Sequence, residues 1–252
     1  MKFLKKELNE ILKTYKIWVV PLIFVFFGFL SPITAKLLPK IVESQMEAQN
    51  ITMMLPVPSA LESFAQYFKN LSQIGALAVI LLSMGLVSEE KAKGTLHLIL
   101  TKPVSRSSVI VSKFLAQSIL FVVSVLIGGA VCFLYTYVLF NEGNLGQFSL
   151  SIILYIFYYI LLIAMTLFFS TLFSNQIASG GVSLIFFFIL TILPGVSTLL
   201  AKYSPYALTT IADNIVAKGE AFTTGGWPLF VSLVLIAAFL FLSCTIFSHQ
   251  EL

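Results

Sequence analysis

GNLGQFSLSIILYIFYYILLIAMTLFFSTLFSNQIASGGVSLIFFFILTILPGVSTLLA, residues 143–201, runs for 59 positions without a charged side chain. One helix needs only about 20 apolar residues to cross roughly 30 Å of hydrocarbon, so the stretch is too long for a single span. Its polar interruption, STLFSNQIAS at Ser170–Ser179, divides it in two. Outward from it lie four more uncharged runs, 17–35, 70–88, 114–141 and 221–250, of 19, 19, 28 and 30 residues. In hydrocarbon each backbone N–H and C=O must find its partner within the segment, and these runs lack the apolar–polar alternation of a barrel strand. They are therefore continuous helices. The expectation is an all-α membrane protein, a single domain over 1–252, with spans at about 17–38, 71–88, 109–140, 151–173, 177–200 and 227–247. Arg106 and Lys113 are costly at mid-bilayer, so the first turns of the third helix, Ser107–Lys113, are expected on the cytosolic side.

Composition agrees. The 252 residues are 58% hydrophobic and 10% charged, with a mean hydropathy of +0.99. A soluble domain carries about 25% charged residues, so a water-soluble globule is excluded. Of the 15 Lys and Arg residues, ten lie in the N-terminal segment (Lys2, Lys5, Lys6, Lys13, Lys16) and the loop after the second span (Lys91, Lys93, Lys102, Arg106, Lys113). The opposite side holds Lys36, Lys40, Lys69, Lys202 and Lys218, offset by Glu43, Glu47, Glu62, Glu142, Asp213 and Glu220. The positive-inside bias then puts both termini in the cytosol. Topology and anionic lipid account for the pI of about 9.0 without nucleic acid.

Residues 1–16 place Leu4, Leu8, Ile11, Leu12 and Tyr15 at helical spacing, with Lys2, Lys5, Lys6, Asn9, Glu10 and Lys13 on the other face. They read as a basic amphipathic helix lying in the cytosolic interface, against a solvated tail as the competing reading. A signal peptide is disfavoured by the long apolar run and the want of a small-residue cleavage site.

The spans carry little chemistry. All 11 acidic residues are expected in loops or tails, and His97 and His249 lie outside the spans, which disfavours an ion-coupled carrier. Cys132 and Cys244 stand alone in separate spans, and no metal-ligand spacing occurs. Nor does a phosphate-cradling Gly-x-x-x-x-Gly-Lys-Ser/Thr, so the chain is expected to be no enzyme, and any nucleotide belongs to another chain. Gly128–Gly129 and Gly180–Gly181 are expected to let helices approach closely.

The loop SEEKAKGTLHLILTKPVSRSSVIVSK, Ser88–Lys113, is dense in charge yet encloses an apolar run. Glu89, Glu90 and Lys91 can extend the second span until Gly94 closes it in left-handed geometry. Thr95 can cap a new two-turn helix that Pro103 stops, and Ser105 can cap the third span. That short helix presents Leu96, Leu98, Ile99 and Leu100, which need a cover: the lipid surface, or a groove on a soluble partner rimmed by the flanking charges.

EEKAKGTLHLILTKPVSR followed by SKFLAQ resembles the cytosolic loop of type-2 ABC transporter permeases, and the similarity extends to the N-terminal basic helix, the KNLSQIG entry to the second span, the span count and SPY at Ser204–Tyr206. It covers essentially the whole chain and is similar to the bacterial six-span members. The resemblance implies a half-permease of the plasma membrane that dimerises with itself or a sister subunit and binds two ATPase subunits, which hold the ATP and Mg. It implies a coupling loop over 88–112 in which Glu89, Glu90, Lys91, Gly94, Thr95, Leu96, Leu98, Ile99 and Arg106 engage the ATPase. It further implies a substrate path lined by faces of the second and fifth spans, including Gln73, Ser83, Asn175, Ser179, Ser183 and Phe187, and a partly re-entrant segment after Pro194–Gly195. The leading expectation is an exporter of an amphipathic or apolar substrate. The alternative is a membrane anchor or sensor that recruits a cytosolic partner through 88–112 without transporting anything.

Overall fold

The computed structural model describes residues 2–48, 58–95, 105–218 and 226–250, and among these every regular element is a helix. Six helices are long and apolar enough to cross a membrane: Lys16–Pro39, Ala60–Ala92, Arg106–Phe140, Leu145–Leu172, Gln176–Gly195 and Trp227–His249, with mean hydropathy from 2.0 to 2.7.

Helix α1 (Lys2–Lys13) precedes α2 (Lys16–Ala48), which continues past its membrane-crossing part with Pro21, Pro32 and Pro39 inside it. Each proline removes one backbone donor, and in lipid neighbouring groups must make good the loss.

The second crossing is composite. It begins at α3 (Ala60–Asn70), well before the expected start, because Ser59 Oγ accepts from Glu62 N and Phe64, Tyr67 and Phe68 are buried. Glu62 and Lys69, which interrupt the apolar run, both face outward. A single π turn, Leu71–Gly75, joins α3 to α4 (Ala76–Ser83). Tyr159 of a later helix donates to Leu71 O at 2.8 Å, and a Cβ on Gly75 would stand against that tyrosine hydroxyl, so the turn needs glycine there. After a turn at 84–87, α5 (Ser88–Ala92) ends at Gly94, whose φ of +68° is the left-handed closure expected of it.

Helix α6 (Arg106–Phe140) is followed by α7 (Leu145–Leu172), capped by Asn144 through Gly146 N at 3.0 Å. The chain breaks at Phe173, and α8 (Gln176–Ile192) starts anew on Asn175, whose Oδ1 accepts from Ile177 N at 2.8 Å. The polar interruption thus divides the long run where expected, with asparagine supplying the cap. A 3-10 turn (Leu193–Gly195), α9 (Thr198–Tyr203) and α10 (Ala207–Lys218) lead towards the last helix, α11 (Trp227–His249). The interrupted segment accordingly makes short helices. Leu208, Ala212, Ile215 and Val216 of α10 are buried, and Ser151 donates to Ala212 O at 2.9 Å.

Helix α7 is the hub, packed by α4, α6, α8, α10 and α11, and its Tyr155, Tyr158 and Tyr159 are fully buried. Between apolar helices in lipid, close packing supplies the attraction. The tightest approach joins α2 to α6: a Cβ on Gly28 would lie 2.6 Å from Gly128 O, and one on Gly128 would lie 2.7 Å from the backbone of Phe24. Gly129 faces Ile152 and Gly180 faces Met84, while Gly181 has open space.

Candidate functional site

Five elements meet at the end of the bundle that carries both termini: α1, α5, the start of α6 and the ends of α7 and α11. A serine on α7 sets the position of α5. Ser170 Oγ, fully buried, accepts from Val87 N and Ser88 N, both at 3.0 Å, and donates to Ser88 Oγ at 3.3 Å. Lys91 donates to Thr171 O. The start of α5 is therefore fixed against α7. Thr95 Oγ1 donates back to Glu90 O at 3.3 Å.

The most buried charge in this region is Lys113, with a side chain 4% exposed. Its Nζ lies 2.7 Å from Glu90 Oε1 on α5 and 3.4 Å from Glu7 Oε2 on α1. One ammonium therefore joins the N-terminal helix, α5 and the third span. Sequence reading expected Lys113 in the cytosolic first turns of the third helix, because an isolated charge is costly at mid-bilayer. In the structure this ammonium is buried and ion-paired, and the carboxylates come from helices: Glu7 from α1, Glu90 from α5. Lys6 sits 3.2 Å from Glu7 and 3.3 Å from Glu10. Burial pulls its pKa down, but Glu7 and Glu10 outweigh this and hold it above its ordinary value. Lys93, 2.6 Å from Glu89, is likewise held above its ordinary value by that hydrogen bond and charge.

Arg106 does something else. Its guanidinium donates to Phe247 O at 3.3 Å, Ser248 O at 3.2 Å and Gln250 O at 2.7 Å, satisfying carbonyls at the end of α11. Gln250 Nε2 in turn donates to Thr171 O at 3.0 Å. Ser105 occupies the cap position of α6 without a side-chain cap bond.

Of the residues expected to engage an ATPase, Glu89, Glu90, Lys91, Gly94, Thr95 and Arg106 fall at this end. Leu96, Leu98 and Ile99 lie outside the described residues, as does the short apolar helix expected there. The residues expected along a substrate path scatter. Gln73 is exposed in the π turn, and Asn175 caps α8. Ser83, buried, accepts from Gln117 Nε2 at 3.1 Å. Ser179, Ser183 and Phe187 follow one another at helical spacing on the face of α8 turned into the subunit. The uncovered face of α8 carries Ile177, Ile185, Phe188, Ile189 and Ile192 instead.

Sequence reading missed Glu7, Lys113, Gln117 and Ser170. Glu7 was the available signal, an acid inside a basic helix that must face something other than anionic lipid.

Six apolar crossings, with a charged, anchored segment between the second and third, make this a multi-span helical membrane protein. The whole chain, residues 1–252, matches the profile described as ABC-2 family transporter protein, and it belongs to that family. It is also 27% identical over 241 residues to "Uncharacterized transmembrane protein YxlG" of Bacillus subtilis (strain 168), covering 94% of this chain and 92% of that protein.

Proposed function

We propose that the chain is one half of the permease of an ATP-driven exporter, embedded in a bacterial plasma membrane with both termini cytosolic. A second copy or a sister subunit completes the path, and a separate ATPase subunit, holding ATP and Mg, docks on segment 88–112. The observation that carries this reading is the Lys113 bridge. A partner that pushes on the coupling segment moves Glu90, and through Lys113 it moves the third span and α1 together. A segment used only as a tether would need no buried ion pair to a membrane helix. Glu89, half-exposed, and the exposed Lys93 and Thr95 supply polar groups of the kind that border a docked partner. The uncharged, uncovered face of α8 favours a lipophilic or amphipathic substrate over a bare ion.

The test is co-purification of the ATPase subunit with the wild-type chain and with Leu96→Asp, followed by ATPase assays in lipid. Leu96→Asp is expected to insert normally and lose the subunit, and retention would refute the docking surface. ATPase activity that ignores every added substrate, with docking intact, would favour the non-transporting anchor.

A further inference from the structure

Between α1, α5 and α6 lies an open cavity of about 570 Å³, lined by four lysines (Lys6, Lys16, Lys93, Lys113) and four glutamates (Glu7, Glu10, Glu89, Glu90), with Tyr15 and Gln117 among the remaining lining residues. Three of the lysines have carboxylate partners: Lys6 with Glu7 and Glu10, Lys93 with Glu89, Lys113 with Glu7 and Glu90. Lys16 has none among the described residues, and its ammonium reaches only Leu82 O at 3.5 Å. Two acceptors are also unused. Gln117, 1% exposed, spends its amide N–H groups on Leu82 O and Ser83 Oγ and leaves Oε1 without a partner, and Glu90 Oε2 is buried without one. Lys16 and Gln117 share Leu82 O, so the spare cation and a spare acceptor are neighbours.

We propose that this cavity is a binding site for the headgroup of a membrane phospholipid bearing both a phosphate and a primary ammonium. The phosphate pairs with Lys16. The ammonium donates to Gln117 Oε1 and Glu90 Oε2. Four positive and four negative lining groups leave the site neutral, and a zwitterion keeps it so, whereas an anionic headgroup adds an uncompensated charge beside Glu90. A choline headgroup has the same charge but no N–H, and leaves both acceptors buried and unpaired. The depth also fits. Tyr15 lines the cavity and is 65% exposed, and Trp18, one turn further into the first span, is 80% exposed; aromatic side chains of this kind sit at headgroup level. Because Glu90 belongs to the coupling segment, the bound lipid becomes part of the joint between that segment and the spans.

The experiment uses the full chain in nanodiscs of phosphatidylcholine doped with one test lipid, with bound lipid counted by native mass spectrometry. The test lipids are phosphatidylethanolamine, its N-methyl and N,N-dimethyl forms, and phosphatidylglycerol. Retention is expected to fall with each methyl, by about tenfold overall from ethanolamine to choline. Lys16→Gln should weaken retention across the series without changing its order, and Gln117→Leu should flatten the order. Should Gln117→Leu fail to insert, the methyl series on the unaltered chain still decides. Equal retention throughout, or stronger retention of phosphatidylglycerol, overturns the proposal. Displacement of the lipid by soluble glycerophosphoethanolamine at matched concentration would also overturn it, by assigning the site to a soluble solute.

Discussion

Lys113→Met is the most informative substitution at the basic end. It preserves the length and apolar stem of the side chain and removes only the ammonium, so packing changes little while two carboxylates lose their shared partner. Glu7 retains Lys6 at 3.2 Å, but Glu90 Oε1 loses its contact at 2.7 Å, and Glu90 Oε2 already has no partner. Breaking a buried pair from one side costs about 3–5 kcal/mol. With Glu7 partly served by Lys6 and the Glu90 side chain 17% exposed, the low end applies, about 3 kcal/mol, or roughly 100-fold in the folding equilibrium. The assay is reversible unfolding in mixed micelles titrated with SDS, followed by circular dichroism. The companion variant is Glu90→Gln in the Lys113→Met background, which removes the orphaned charge and should recover at least half of the loss. Because the cost is assigned to an uncompensated carboxylate, recovery matters more than the initial drop. A Lys113→Met variant as stable as wild type, or one that Glu90→Gln makes worse, would refute the bridge.

Three further outcomes follow from other contacts. Arg106→Ala frees three carbonyls at the end of α11, so amide exchange over Ile246–Gln250 should accelerate about tenfold or more while the middle of that helix is unaffected. Gly128→Val places a Cβ 2.7 Å from backbone that cannot step aside and should cost at least about 1–3 kcal/mol, whereas Gly181→Ala, facing open space, should be nearly neutral in the same SDS titration. Burial raises the pKa of Asp213 from 3.8 to about 6, against the opposing hydrogen bond from Tyr155. The folded protein thus keeps that proton where the unfolded chain has lost it, so stability should fall by at most about 3 kcal/mol as pH rises from 3.8 to about 6, level off above, and lose this slope in Asp213→Asn.

The crossings were legible in the sequence because lipid imposes a length and an apolar composition that few other contexts require. Gly94 was legible for a similar reason: a helix followed by a glycine and a new charged segment has few other geometries. The starts and stops were less so. Charge marks the end of an apolar run, but Glu62 and Lys69 sit on an outward face of a helix that had already begun at Ala60. The same limit hid the Lys113 bridge. Its partners lie 23 and 106 positions away, and no local pattern records which distant carboxylate will meet a lysine. The inward direction of Ser179 and Ser183 escaped sequence reading too, since a helix that is apolar nearly all round gives no periodic signal of which side faces its neighbours.

The π turn at Leu71–Gly75 has a consequence for the register of the second crossing. It fits one more residue into a turn than a straight α-helix would, and each α-helical residue advances the chain by about 100°. Everything downstream is clocked round by that amount relative to α3. Val79, Ile80 and Ser83 thereby point into the bundle, and α5 emerges at the azimuth where Glu90 meets Lys113. Deleting one residue between Leu71 and Gly75 would restore an unbroken helix and swing the emerging segment through more than a quarter circle. A one-residue gap in this stretch of a relative's alignment is thus a change in the direction in which α5 emerges.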